Sequence, residues 1–199
     1  MGWRDELAEY IRQNALPVEK YGHQPRLYEL TRKVGADLAY DDDVVCAATW
    51  LHDLGVFVGH RPEDPALLAK WDHVAYAMEK VPGVLASIGF PFEKTEAVLE
   101  CIRNHQPKDE PTTLESTILR DADILEQLGA IGILRTVCKV GRDTRFATFS
   151  DAQASLLRAI DELPRQLKLE SSKILAMERM RMHREFLIGL ATEAEGRLF

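Results

Sequence analysis

Six residues of this chain have the types and the placement to do chemistry: His23, the adjacent pair His52 and Asp53, His73, His105 and Asp121. A histidine beside a carboxylate inside an apolar run such as Val44-Val45-Cys46-Ala47-Ala48 is costly to bury unless something compensates both groups. A divalent ion does so, taking a neutral imidazole nitrogen and a carboxylate oxygen in place of lost hydration. The set holds imidazole and carboxylate but no cysteine, which suits Mn, Fe, Co, Ni or Mg better than a structural zinc site.

The elements that must position these groups all read as helices. Trp3, Leu7 and Ile11 fall at helical spacing over residues 3–14, and Pro17 ends that segment. His23 opens the inward face continued by Leu27, Leu30, Val34 and Leu38. Asp41-Asp42-Asp43 supplies an N-cap and a negative first turn for the helix carrying His52 and Asp53, and Gly55 is expected to close it in a left-handed cap. Phe57 to Pro65 reads as a loop, with His60 at the surface. His73, Ala77 and Val81 share a face of a helix over Asp72 to Ser87, which Pro82 kinks or restarts. Val98, Cys101, Ile102 and His105 line the next helix, from Glu93 to Asn104.

Thr112 and Glu115 have the form of a capping box, opening a helix whose stripe is Leu114, Ile118, Asp121, Leu125 and Leu128. Asp121 is favoured over Asp123 as the inward carboxylate, because residues two apart on a helix cannot face the same way. Ile131 to Val140 continues helically and Gly141 to Ser150 is loop-like. Two last helices, from Asp151 to about Leu163 and from Ser171 to Arg197, are separated by Pro164. Met177, Met180 and Met182 read as packing residues or a contact face, and His183 as a surface residue. No alternation marks a strand, so the expected fold is an all-α helical bundle with a metal site in its core. The chain reads as a single domain over 1–199, with a motif-bearing core at about 21–145 and C-terminal helices at about 151–198.

With 199 residues, 46% of them hydrophobic and 29% charged, the chain can bury a substantial core. A net charge of -7 argues against a nucleic-acid polymer as partner, whereas a small phosphorylated ligand stays open because a metal supplies positive charge locally. Cys46, Cys101 and Cys138 lack paired spacing and read as buried free thiols in a reducing cytoplasm. No run approaches membrane-spanning length, and the charged N-terminus is unlike a signal peptide, so a soluble cytoplasmic protein is expected.

Trp50-Leu51-His52-Asp53-Leu54-Gly55, Ile102-Arg103-Asn104-His105, and Arg120-Asp121-Ala122-Asp123 followed by Leu128-Gly129-Ala130-Ile131-Gly132 together resemble the HD-domain metal-dependent phosphohydrolase superfamily, in its bacterial hydrolase branch. The likeness covers about residues 21–145, and the tail from Ser172 to Phe186 also resembles the ending of that branch. It implies that His23, His52, Asp53 and Asp121 hold a first metal. His73 and His105 then stand where some members hold a second ion, with Asp53 bridging, and others contact phosphate.

The implied activity is attack on a small phosphate ester or nucleotide by metal-activated water, with Asp53 orienting the water or bridging two ions. His73 or His105, where it is not a ligand, would hydrogen-bond the phosphate or protonate the leaving oxygen. Arg26, Lys33 and Arg135 are minor candidates for substrate contact. Leu54-Gly55-Val56-Phe57 replaces the Glu-Asp pair of stringent-response hydrolases, and the Gly-Tyr-Pro signature of cyclic di-nucleotide hydrolases is missing. Two other classes fit the same residues: a di-iron oxygenase of the same superfamily, and a non-catalytic nucleotide-binding regulator. The long C-terminal helix offers a surface for a second copy of the chain, as a homodimer.

Overall fold

The computed structural model describes residues 2–142 and 146–198 and, at Glu19, the backbone only. The chain is all-α, with ten α-helices joined by short 3-10 turns and no strand among the described residues. It divides into two compact units, Met1–Arg120 and Asp121–Phe199, with the boundary inside one helix.

The first unit is built around α3 (Asp42–Leu51), whose residues from Val44 to Leu51 are all buried. A helix apolar on every side belongs at the centre of its bundle. α1 (Trp3–Asn14), α2 (His23–Val34) and α6 (Thr95–Arg103) pack against it, and α5 (His73–Ser87) packs on α6. Asp41 caps α3 by accepting from the amides of Asp43 and Val44, as the aspartate run predicts. Arg4 of α1 holds the same end, donating to Asp42 at 2.8 Å and to Asp43 at 2.7 Å. The short α4 (Pro65–Leu68) begins where the expected loop ends, and Asp72 caps α5 by accepting from the Val74 and Ala75 amides.

α7 (Leu114–Glu126) does not open on the expected capping box. The Ser116 amide donates to Thr113 instead, and Glu115 accepts from the Asp41 amide at 2.9 Å, so its carboxylate serves the start of α3. Thr112 donates to Glu100 at 2.7 Å.

The second unit holds the end of α7 with α8 (Gly129–Val137), α9 (Phe149–Glu162) and α10 (Glu170–Ala194). α8, α9 and α10 pack on one another. Gly129 starts α8 at φ 71°, and a side chain there would meet Arg179 at 3.1 Å. Of the loop expected over 141–150, Asp143, Thr144 and Arg145 lie outside the described residues.

Several sequence expectations are corrected. His183 is fully buried on α10, not at the surface, and Cys138 is exposed where a buried thiol was expected. α2 stops at Val34, which leaves Leu38 exposed beyond it. Of the two readings for the methionines, packing or a contact face, Met177 and Met182 fit the second, since both are exposed on α10, as are Ile174 and Ile188. No helix of the described residues is long and apolar enough to cross a membrane.

Candidate metal centre

The centre begins where α3 ends. The helix stops at Leu51, His52 is its C-cap, and Asp53 leaves helical geometry with φ -97° and ψ 15°. Neighbouring residues on a continuous helix splay about 100° apart, so this break is what lets two consecutive side chains reach one point. His23, the first residue of α2, joins them. Its Nε2 lies 3.4 Å from Nε2 of His52, and each of these nitrogens is 3.6 Å from Oδ2 of Asp53. Ions that bind nitrogen and oxygen at about 2.0–2.2 Å set neighbouring ligand atoms about 3.0–3.5 Å apart, so the triangle fits a metal.

The tautomers fit as well. Nδ1 of His52 sits 2.9 Å from the Thr49 carbonyl, and Nδ1 of His105 sits 2.6 Å from the Ile102 carbonyl. A carbonyl only accepts, so each Nδ1 carries a proton, and in the neutral form of either ring Nε2 is the nitrogen left with a lone pair for an ion.

Asp53 belongs to a second group. Its carboxylate, His73 and His105 each offer one ligand atom within 4.8 Å of the others, as His23, His52 and Asp53 do. Two ions held by these triplets would both draw on the Asp53 carboxylate. Burial works to raise the Asp53 pKa, but the positive charge that His52, His23, His105 and His73 carry when protonated outweighs it and holds the carboxyl well below the usual range. Asp53 is therefore an anion at neutral pH, able to serve as a ligand or an acceptor.

Gly55 does not close α3 in a left-handed cap as the sequence suggested; it lies in the 3-10 turn Leu54–Val56, outside the positive-φ residues. Its role is proximity. A side chain on Gly55 would come within 2.6 Å of the His73 carbonyl oxygen and 2.8 Å of its Cα, so the turn after Asp53 lies directly on the start of α5. His60 is half-buried, not a surface residue: one ring nitrogen meets the Tyr76 hydroxyl at 2.9 Å and the other meets Oδ1 of Asn14 at 3.0 Å.

Asp121 is buried, as its stripe predicts, but it also has local work in the second unit. Its Oδ2 accepts from the backbone amides of Lys168 at 3.0 Å and Leu169 at 2.8 Å, just ahead of α10. Asp123, set aside at the sequence level, is half-buried on the same helix, within reach of the Gln127 amide at 3.4 Å. Arg26 and Lys33 are exposed on α2, and Arg135 pairs with the buried Glu126. Sequence reasoning missed Trp71, whose indole N–H donates to the Gly55 carbonyl at 2.8 Å. Its position two residues before His73 was the available signal.

The sequence matches the HD domain over residues 21–128, a span that contains all six candidate residues. The chain belongs to the HD domain family. No curated protein matches it in sequence. Among solved structures, the HD chain is similar to YpgQ of Bacillus subtilis at 20% identity and a TM-score of 0.74, over 98% of this chain and 96% of that one. YpgQ in complex with ADP gives 20% identity and a TM-score of 0.72, over 97% and 98%. An HD-superfamily hydrolase from Bacillus thuringiensis gives 18% and 0.70, over 98% and 97%. At these identities the likeness shows a shared fold.

Proposed function

We propose that this HD domain is a metal-dependent phosphohydrolase that cleaves a small phosphate ester or a nucleotide. The observation that carries the reading is the sharing of Asp53 between two ligand triplets. His23, His52 and Asp53 would hold one divalent ion, Mn, Fe, Mg, Co or Ni, and Asp53 with His73 and His105 a second. Such an ion supplies activation of water and polarisation of a phosphoryl oxygen. Asp53, kept ionised by the imidazoles around it, accepts a hydrogen bond from the attacking water and orients it. Where one ion binds, His73 and His105 instead donate to phosphate oxygens or protonate the leaving oxygen.

The resemblance supplies Asp121 as a fourth ligand of the first ion. Its carboxylate also accepts from the amides before α10, the kind of hydrogen bonds that orient a ligating carboxylate. Arg26 and Lys33, exposed and cationic, are offered as contacts for a polyanionic substrate. The ADP complex of YpgQ supports a nucleotide as the substrate class.

The test is metal analysis of the purified protein with a phosphate-release screen over nucleotides and simple phosphomonoesters under Mn and Mg. Release that disappears in His52→Ala supports the reading. The shared carboxylate also favours a second one, a di-iron oxygenase: two tightly held irons, oxygen consumption and no phosphate release would replace the hydrolase with it.

A further inference from the structure

The turn after Asp53 and the start of α5 are joined at two points that no ligand set requires. Gly55 rests so closely on His73 that a Cβ would sit 2.6 Å from the His73 carbonyl oxygen. Trp71 donates its indole N–H to the Gly55 carbonyl at 2.8 Å. Gly55 follows Asp53 by two residues and Trp71 precedes His73 by two, so the pair forms a closed strap between two groups of the same ligand triplet. The Trp71 ring is held in turn by Tyr76 of α5, with centroids 5.3 Å apart, and the Tyr76 hydroxyl meets His60. The Asp72 carboxylate between them caps α5, so the first turn carrying His73 cannot fray away from the strap.

We infer that Trp71 and Gly55 are positioning residues that set the distance from Asp53 to His73 and thereby build the second ion site. The His23–His52–Asp53 triangle does not depend on them, since its groups come from α2 and the end of α3. The inference rests on the ligand sets of the proposed function and not on its reaction. Trp71→Phe keeps an aromatic ring against Tyr76 and removes the N–H donor with part of the ring system.

The experiment is Mn titration of the full chain, read as bound ions per chain by calorimetry and as spin coupling between ions by electron paramagnetic resonance. The wild type is expected to bind two ions with a coupled signal. Trp71→Phe should weaken the second ion by about tenfold, the range seen when supporting partners of metal ligands are lost, and leave the first unchanged. Gly55→Ala should lose the second ion altogether; where that variant fails to fold, Trp71→Phe carries the test. Tyr76→Phe, which keeps the strap and removes only the bond to His60, should bind both ions as the wild type does. Unchanged second-ion affinity in Trp71→Phe overturns the inference. So does an equal loss in Tyr76→Phe, or a wild type that binds one ion. Phosphate release plays no part in these readings, so a failed hydrolase and a failed strap are distinguishable.

Discussion

The two units bury polar groups in opposite ways. In the first, His52 and His105 are tied to carbonyls of their own helix ends and converge, with His23 and His73, on one carboxylate. In the second, the buried groups are dispersed, and several have partners within the unit. Asp121 accepts amides ahead of α10, Arg179 donates to the Leu125 carbonyl at 2.9 Å, Glu126 pairs with Arg135, and neither ring nitrogen of His183 has a hydrogen-bond partner among the described residues. Burial alone therefore does not mark a functional group. Convergence of several imidazoles on one carboxylate does, because it gathers ligand atoms at a single point.

The largest test of this contrast removes a converging group. Loss of supporting partners around a metal costs about 10–100-fold in affinity, so His52→Ala or Asp53→Ala should lose more than about 100-fold in metal affinity. Thermal unfolding of the metal-free protein should move little for Asp53→Ala, whose side chain caps no helix, while His52→Ala also loses the Nδ1 bond to Thr49 and leaves a cavity and should fall by a few degrees. A large fall in the melting temperature would break the comparison.

Asp121→Ala should cost both metal affinity and stability. It removes the fourth ligand proposed for the first ion, and removing a charged acceptor from two part-buried backbone amides costs about 1.5–3 kcal/mol, measurable by urea denaturation. Asp121→Asn and Asp123→Asn, compared for metal content, sharpen the point: loss of metal in the second alone would overturn Asp121 as a ligand.

His183 gives a smaller, pH-dependent effect. Burial holds its pKa below the ordinary 6.5, so the unfolded chain binds more protons than the folded one in acid. Stability from this group is complete above the unfolded value and falls as pH drops below it. The half-buried His60, lowered by the same cause, adds to the loss. His183→Leu should make the fall in melting temperature between about pH 7 and pH 5 shallower. An unchanged slope would show that the ring is protonated in place.

The smallest perturbation is chemical. Cys46 and Cys101 are buried in the first unit, and burial pushes the Cys46 thiol up to about 11, while Cys138 is exposed in the second. Native protein should react with one equivalent of a thiol reagent, and Cys138→Ser with none.

The helical fold was legible because its apolar stripes are long and its caps are local: Asp41 lies next to the helix it starts, and α1 ends where its periodicity stops. The ligand residues were legible because a histidine at the edge of an apolar stripe stands out. What was not legible is whatever depends on partners distant in sequence. Glu115 looked like half of a capping box but is recruited by Asp41. Gly55 looked like a helix terminator, yet its missing side chain serves contact with His73. His183 sits between Met182 and Arg184, and its burial follows from the packing of α10, which periodicity in so weakly amphipathic a helix does not reveal.

The all-round burial of α3 sets a clock as well as a core. Amides from Val45 to Leu51 can exchange with solvent only when the first unit opens as a whole, so deuterium should reach them last. His52 hangs from the end of that slowest segment. Stripping the metal with a chelator should shorten those exchange times together, because an ion held by His52 and Asp53 would stabilise the closed unit and be lost when it opens.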